Sequence, residues 1–397
     1  MRQGREPEPR VPKEGERMKN LGFGMMRLPV LNGNPTDFDY DQVNQMVDAF
    51  LESGNTYFDT SYIYHKGKSE EATRKALVER HPRDSFAVAT KFPALLMPPE
   101  EKAEEIFQGQ LDSLGVEYID YYLLHNIQTI IYDGIDGTGG IAKTAHLFEH
   151  AKKWKEDGKI AHLGMSFHSS AKLLDRVLTE HPEIEFVQIS VNPIDWDSEV
   201  VQGRDCYDVI RKHSRKVVIM QAVKGGGLAK LPDEAEALLR SVHPDWSIAS
   251  WSLRFCLEKE DVIAVLSGMS TMEQVIDNTR TTGEAVPLTD EEQEVLEKAM
   301  RIYRESAPIP QSQIDQYKGL EYHGVPVTAI LQAYSICQIQ PDPSFSDDNN
   351  YLKNNFAEAA HVDFRKGLAK QRVIAADGTD ITEMVEKAVA WLAENSF

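Results

Sequence analysis

Cysteine is scarce in this 397-residue chain, which carries only Cys206, Cys256 and Cys337, far apart and odd in number. That excludes a disulfide framework and a zinc site, and it predicts a reducing, cytoplasmic setting. Basic charge is short as well. With 43 Lys and Arg against 63 Asp and Glu, the formal charge is −20. No basic cluster offsets it, so neither nucleic acid nor an anionic membrane surface is expected as a partner. Long apolar runs are missing too. None approaches the roughly 20 residues of a membrane helix, and the N-terminal MRQGREPEPRVPKEGER has no apolar centre of the signal-peptide kind. Its Pro, Glu, Arg and Gly predict a disordered extension over residues 1–17, ahead of Met18.

What is present fits one large domain with an appendage, since 41% hydrophobic and 27% charged side chains can form a full core with surplus chain. From Asn20 onward, short β-branched and aromatic runs alternate with longer amphipathic stretches, the pattern of βα units around a buried parallel sheet. Eight runs stand out: LGFGMM (21–26), TYFDT (56–60), FAVATKF (86–92), IDYYLLH (119–125), IAHLGMSF (160–167), FVQISV (186–191), VVIMQAV (217–223) and VIAVLSGM (262–269). Between the first two, residues 39–54 place Val43, Met46, Val47, Phe50 and Leu51 at helical spacing and end on Gly54. Eight such units in roughly 250 residues suit a closed barrel better than an open doubly wound sheet. No GxGxxG follows the first run, which removes the main sign of that alternative. The fold predicted is an α/β, (β/α)8 TIM barrel over 18–282 with a C-terminal helical extension over 283–397. Thr289 with Glu292 forms a capping-box pattern at the start of that extension.

In such a barrel, polar groups at the C-terminal ends of the strands converge on one mouth. The second run ends in Asp59 with Tyr64 close behind, the third in Lys91 and the fourth in His125. A lysine at a buried strand end calls for a paired carboxylate, and Asp59 can supply it. Together the four suit carbonyl reduction or its reverse. Negative charge growing on a carbonyl oxygen is met by a proton from Tyr64, Lys91 is expected to lower the phenol's pKa, Asp59 holds Lys91 charged, and His125 hydrogen-bonds the oxygen.

At these residues the chain resembles the aldo-keto reductases. FDTSYIYHKGKSEEATRKAL, VATKF, YIDYYLLH and VLSGMSTMEQVIDN match that family's segments in order and spacing. The resemblance implies the same catalytic set and a nicotinamide cofactor, NADPH or NADH, lying across the mouth. It places Ser166 and Gln188 at the carboxamide and Gln221 at the ring. Lys224, Gly225 and Gly226 fall at the pyrophosphate; Gly24, Met25, Ser267, Gly268, Met269, Ser270, Gln274 and Asn278 line the remainder. Glycines without a Cβ let backbone amides approach phosphate, although KGGGL reads equally as a flexible turn. Phe167 stands where many members have Asn, and Gln221 where many have Tyr. Gly268 and Gln274 replace the Lys and Arg that often bind a 2′-phosphate, so the cofactor preference stays open.

The wording of GMSFHSS and VKGGGLA is closest to the branch with a C-terminal ferredoxin-like module. Over about 304–345, however, Gln311, Ile314, Tyr317 and Glu321 stand at the ligand positions, so no iron-sulfur cluster is expected. Such a tail is expected to cover the mouth and shape the pocket with Tyr132 and Trp196, or else to be a solvated appendage. Two other functional classes stay open: a non-enzymatic cofactor-sensing or scaffold subunit, and a lyase or isomerase that retains its nicotinamide cofactor. Substrate identity and oligomeric state are not encoded in readable form.

Overall fold

The structure, a computed structural model, describes residues 21–341 and 347–395. The extension expected over residues 1–17 lies outside them. Eight parallel strands close into a barrel in sequence order: β1 (Leu21–Gly24), β2 (Tyr57–Asp59), β3 (Ala87–Phe92), β4 (Ile119–Ile127), β5 (Ile160–Phe167), β6 (Phe186–Ser190), β7 (Lys216–Met220) and β8 (Val262–Ser267). Closure is through β8, where Phe23 pairs with Ser267. All eight expected runs are strands. They were readable because a strand buried on both faces is apolar throughout, and β2 and β6 are buried at every position.

Helices pack outside: α1 (Tyr40–Glu52), α2 (Ser69–Thr73), α3 (Ala103–Leu114), α4 (Leu147–Glu156), α5 (Ala171–Glu180), α6 (Gly203–Lys212), α7 (Asp233–Val242), α8 (Ile248–Leu257) and α9 (Met272–Glu284). In α1 the Asp39 carboxylate accepts from the Gln42 amide at the first turn, and Val43, Met46, Val47 and Phe50 are buried against the barrel. Gly54 ends this segment at φ 83°, a left-handed conformation that glycine adopts without strain. Inside the barrel, away from the mouth, Tyr57, Ala89, Leu123, Phe186, Val218 and Leu266 fill the lumen. A Cβ on Gly164 would lie 2.6 Å from the Phe186 ring, so this glycine gives Phe186 its room.

The extension begins with α10 (Asp290–Glu305), which carries the expected capping box of Thr289 and Glu292. It continues through α11 (Val327–Gln338), α12 (Asp347–Ala360) and α13 (Thr382–Glu394). These elements have an apolar core of their own, including Ile314, Val327, Ile330, Leu352, Phe356, Val385 and Leu392. Val200 and Val201 from the barrel join it. Of the four positions matched to cluster ligands, Ile314 belongs to this core and Glu321 to a small hairpin with Val325–Pro326. Among the described residues no His, Cys, Asp and Glu side chains group as a metal site, and no helix is long and apolar enough to cross a membrane.

Candidate active site

The C-terminal ends of β2, β3 and β4 bring the four catalytic candidates together. Lys91 is fully buried. Its ammonium donates to Asp59 Oδ1 and to the Thr60 carbonyl, each at 2.7 Å, and lies 4.9 Å from the centre of the Tyr64 ring. Burial works against the charge on Lys91, but Asp59 and Tyr64 outweigh it and hold its pKa above the ordinary value. The Tyr64 ring meets the His125 ring edge-on at 6.2 Å between centroids.

Behind Lys91 a buried network fixes the end of β3. Gln110, from α3, donates to the Lys91 carbonyl at 3.0 Å and to Glu70 Oε1 at 2.7 Å, while Tyr122 donates to Gln110 at 2.6 Å. Burial lifts Glu70 to about 7, with Thr90 and Gln110 opposing the shift. Ser69, which opens α2, donates to the Met25 carbonyl at 3.2 Å and ties β1 to the same scaffold.

Two protonation states follow from burial. His125 is driven well below its ordinary pKa by burial and then by the Lys91 charge, so it is neutral. Its Nδ1 lies 3.3 Å from Ser61 Oγ. If the hydroxyl donates there, the proton of the ring sits on Nε2, the nitrogen left for a ligand. Ser61 had no part in the sequence reading. The second state is a correction. Lys91 does pull the Tyr64 phenol down, but burial is the larger effect and the pKa is raised. Withdrawal of water destabilises a phenolate more than one ammionium at this distance stabilises it.

Along the mouth, Ser166 Oγ accepts from the Asn126 amide at 2.7 Å, with Asn126 held at φ 59°. Gln188, 3% exposed, directs Nε2 toward Met220 Sδ at 3.5 Å and leaves Oε1 without a hydrogen-bond partner. An orphaned buried acceptor beside a serine hydroxyl is a costly arrangement unless a ligand completes it. Gln221, at φ 58°, is the first residue beyond β7.

The β7 and β8 loops form the other part of the mouth. Gly225 and Gly226 take φ 62° and 100°. Between them and β8 lies Arg27, which the sequence reading missed. Its Nη2 is 3.3 Å from a Cβ built on Gly225, its Cδ 3.1 Å from one built on Gly268, and its carbonyl accepts from Ser270 Oγ at 2.8 Å. Side chains at either glycine would crowd it. A signal was available in the sequence: a cation directly after β1, facing glycines from two other loops.

Other expected residues are held internally. Met25 and Met269 are fully buried, Asn278 donates to Ser267 Oγ at 2.9 Å, and Gln274 accepts from the Ser270 amide at 2.7 Å. Gly24, at the end of β1, pairs with Asp59. Lys224 turns away from the cleft into a buried cluster, donating to both Asp195 oxygens at 2.7 Å and to Asp348 at 2.6 Å.

Asp348 belongs to α12, which covers the mouth above β4 to β7. Asp347 accepts from Ser190, Tyr351 donates to the Phe167 carbonyl at 3.1 Å, and Asn354 donates to Gln128 Oε1 at 2.7 Å and to the His168 carbonyl at 2.8 Å. Tyr132 and Trp196 do not line this space. The Tyr132 hydroxyl is bonded to Glu180 and His181, and Trp196 packs between Tyr207 and Phe255. Above β1 to β3 the mouth is open and carries exposed Met26, Tyr62, Leu96 and Met97.

Comparison with known proteins agrees with the barrel fold. The model of the Aldo/keto reductase family matches residues 20–301. A probable aldo-keto reductase 1 of Glycine max is 31% identical over 198 residues, 47% of this chain and 53% of that protein. The uncharacterized oxidoreductase YqkF of Bacillus subtilis is 25% identical over 313 residues, 70% of this chain and 92% of that protein. Among solved structures, the holo form of aldo-keto reductase AKR11C1 from Bacillus halodurans superposes with a TM-score of 0.55 at 25% identity, over 71% of this chain and 92% of its own. An aldo-keto reductase of Klebsiella pneumoniae in complex with NADPH shares the fold at 20% identity and a TM-score of 0.55, over 70% of this chain and 90% of its own.

Proposed function

The chain belongs to the aldo/keto reductase family, and we propose that it interconverts a small carbonyl compound and its alcohol with a nicotinamide cofactor, Tyr64 acting as general acid and base. The observation that carries this reading is a charged, fully buried Lys91 set between Asp59 and Tyr64, with a neutral His125 against the phenol.

The residues present fit the cofactor. A carboxamide carries a donor and an acceptor; Gln188 Oε1 lacks a donor, and the Ser166 hydroxyl has a proton to give. Arg27 and the Gly225–Gly226 turn suit an anionic pyrophosphate through charge and close backbone approach. The bound cofactor would supply or accept the hydride. With Gly268 and Gln274 neutral, both NADH and NADPH are accommodated.

In the reducing direction, His125 Nε2–H and the Tyr64 hydroxyl hold the carbonyl oxygen. Tyr64 gives its proton as charge grows there, and Lys91 meets the resulting phenolate. Asp59 keeps Lys91 charged and aimed. Oxidation runs the same transfers backward. Exposed apolar side chains on the open side of the mouth favour a substrate with an apolar body. The buried thiols of Cys206 and Cys256 suit the reducing cytoplasm. We further assign residues 18–282 to the catalytic barrel and 283–397 to its extension.

The test is fluorescence titration with NADH and NADPH, followed by a carbonyl panel with Tyr64→Phe as control. The expected result is cofactor oxidation in step with alcohol formation, lost in Tyr64→Phe while cofactor binding persists. Full activity of Tyr64→Phe would rule the mechanism out, and product without net cofactor turnover would point to an isomerase or lyase.

A further inference from the structure

We infer that the C-terminal extension positions the cofactor's phosphate loop, with Asp348 and Gln340 as positioning residues; this rests on the reading of the site given above. The Gly225–Gly226 turn is held at both ends by the extension. At one end is Lys224, itself at φ 47°, whose side chain is 4% exposed and whose ammonium is bonded to Asp195 from the barrel and Asp348 from α12. At the other is Gly227, where a Cβ would lie 2.3 Å from Gln340 Oε1, so the Gln340 side chain sits directly against this backbone. Gln340 is in turn fixed by its amide, which donates to the Tyr303 hydroxyl of α10 at 3.3 Å.

The charge balance of this cluster explains why Lys224 positions the loop and does not itself bind phosphate. One ammonium is shared by two carboxylates, Asp195 and Asp348. Arg304, which is half-buried and donates to the Ile194 carbonyl at 2.7 Å, feels both of them. Asp347, the remaining carboxyl, retains a proton up to about 7, because burial opposes its ionisation. Lys224 therefore has no surplus charge to offer across the cleft. A buried charged side chain bonded on two sides also fixes the backbone that carries it, here a left-handed residue that the sequence alone would not hold in place. The Gly226 amide closes the turn by donating to the Val223 carbonyl at 3.0 Å, and the Gly225 amide thus keeps a set direction without ordering on binding. An anion that meets a pre-ordered loop binds more tightly than one that must order it.

Asp348→Asn, Gln340→Ala and their double variant test this. Asp348→Asn keeps the Lys224–Asp195 pair, and Gln340→Ala leaves every charge in place, so both should fold. For each single variant the expected result is weaker NADH and NADPH binding by about tenfold, the scale of ordering one or two residues. The double variant should lose more. The cofactor KM should rise while kcat at saturating cofactor stays near wild type, and amide exchange over residues 222–229 should speed up. A general loss of stability would instead lower kcat and raise exchange throughout. Unchanged binding and exchange in variants of a wild type that binds cofactor would overturn this inference alone. A wild type that binds neither cofactor would overturn the reading of the site and this inference with it.

Discussion

The Lys91 ammonium stands 4.9 Å from the centre of the Tyr64 ring, yet the phenol keeps its proton more tightly than a free tyrosine does. Burial sets the direction of the shift, and Lys91 moderates it. In the proposed mechanism reduction needs the phenol and oxidation the phenolate. Alcohol oxidation should therefore keep rising with pH through 10, the ordinary tyrosine value, while carbonyl reduction stays level across neutral pH. His125, neutral throughout, should add no limb near its ordinary value of 6.5. Profiles of kcat/KM in both directions check this, and a limb near 6.5 removed by His125→Gln would contradict it.

Removing Lys91 should be costly to the fold as well as to catalysis. Lys91→Met leaves Asp59 buried without its counter-ion, a loss of about 3–5 kcal/mol for a broken buried pair. The double variant Asp59→Asn/Lys91→Met should regain most of that stability and none of the activity. Urea unfolding of the three proteins decides the point; equal losses in the single and double variants would mean the pair is not coupled.

Arg27→Ala should weaken NADH and NADPH to a similar degree, by about tenfold for one charge-assisted contact. The deficit should shrink in high salt, because Arg27 is exposed. Loss of NADPH binding alone would place Arg27 on the 2′-phosphate instead. The measurement is cofactor fluorescence at two ionic strengths.

Asp347 offers a pH test of the roof. Burial raises its carboxyl from 3.8 to about 7, so the folded chain binds this proton more tightly than the unfolded chain does. Its contribution is complete below 3.8 and is lost as pH climbs through about 7. Asp347→Asn, with no proton to lose, should melt above the wild type at pH 8, and the gap should narrow toward pH 4. A gap that does not change with pH would contradict this.

The barrel and the four strand-end residues were readable in the sequence for one reason. Parallel strands buried on both faces are continuous apolar runs, and a charged or hydroxylated residue at the end of one is conspicuous. The roof was not readable. In DDNNYLKNNFAEAA, the buried positions include Asp347, Asp348, Asn349, Lys353 and Asn354, so no apolar stripe marks the face that meets the barrel. Their partners, such as Ser190 and Lys224, lie more than a hundred residues away in sequence. Tyr132 and Trp196 misled for the opposite reason: large aromatics near strand ends suggest a pocket, but here Tyr132 is buried and Trp196 is half-buried between Tyr207 and Phe255. The phenol's shift was missed because a sequence names the neighbouring charge and not the amount of water removed.

The covering of the mouth by α12 has a consequence for how the protein is made. A chain is synthesised from its N-terminus, and its parts fold in that order. The barrel strands emerge complete before Asp348 exists to meet Lys224. For that interval the nascent protein has the strand ends of the candidate site but a glycine turn without Asp348 beside it. Chains halted short of Asp347 would be barrels whose Lys224 meets Asp195 alone.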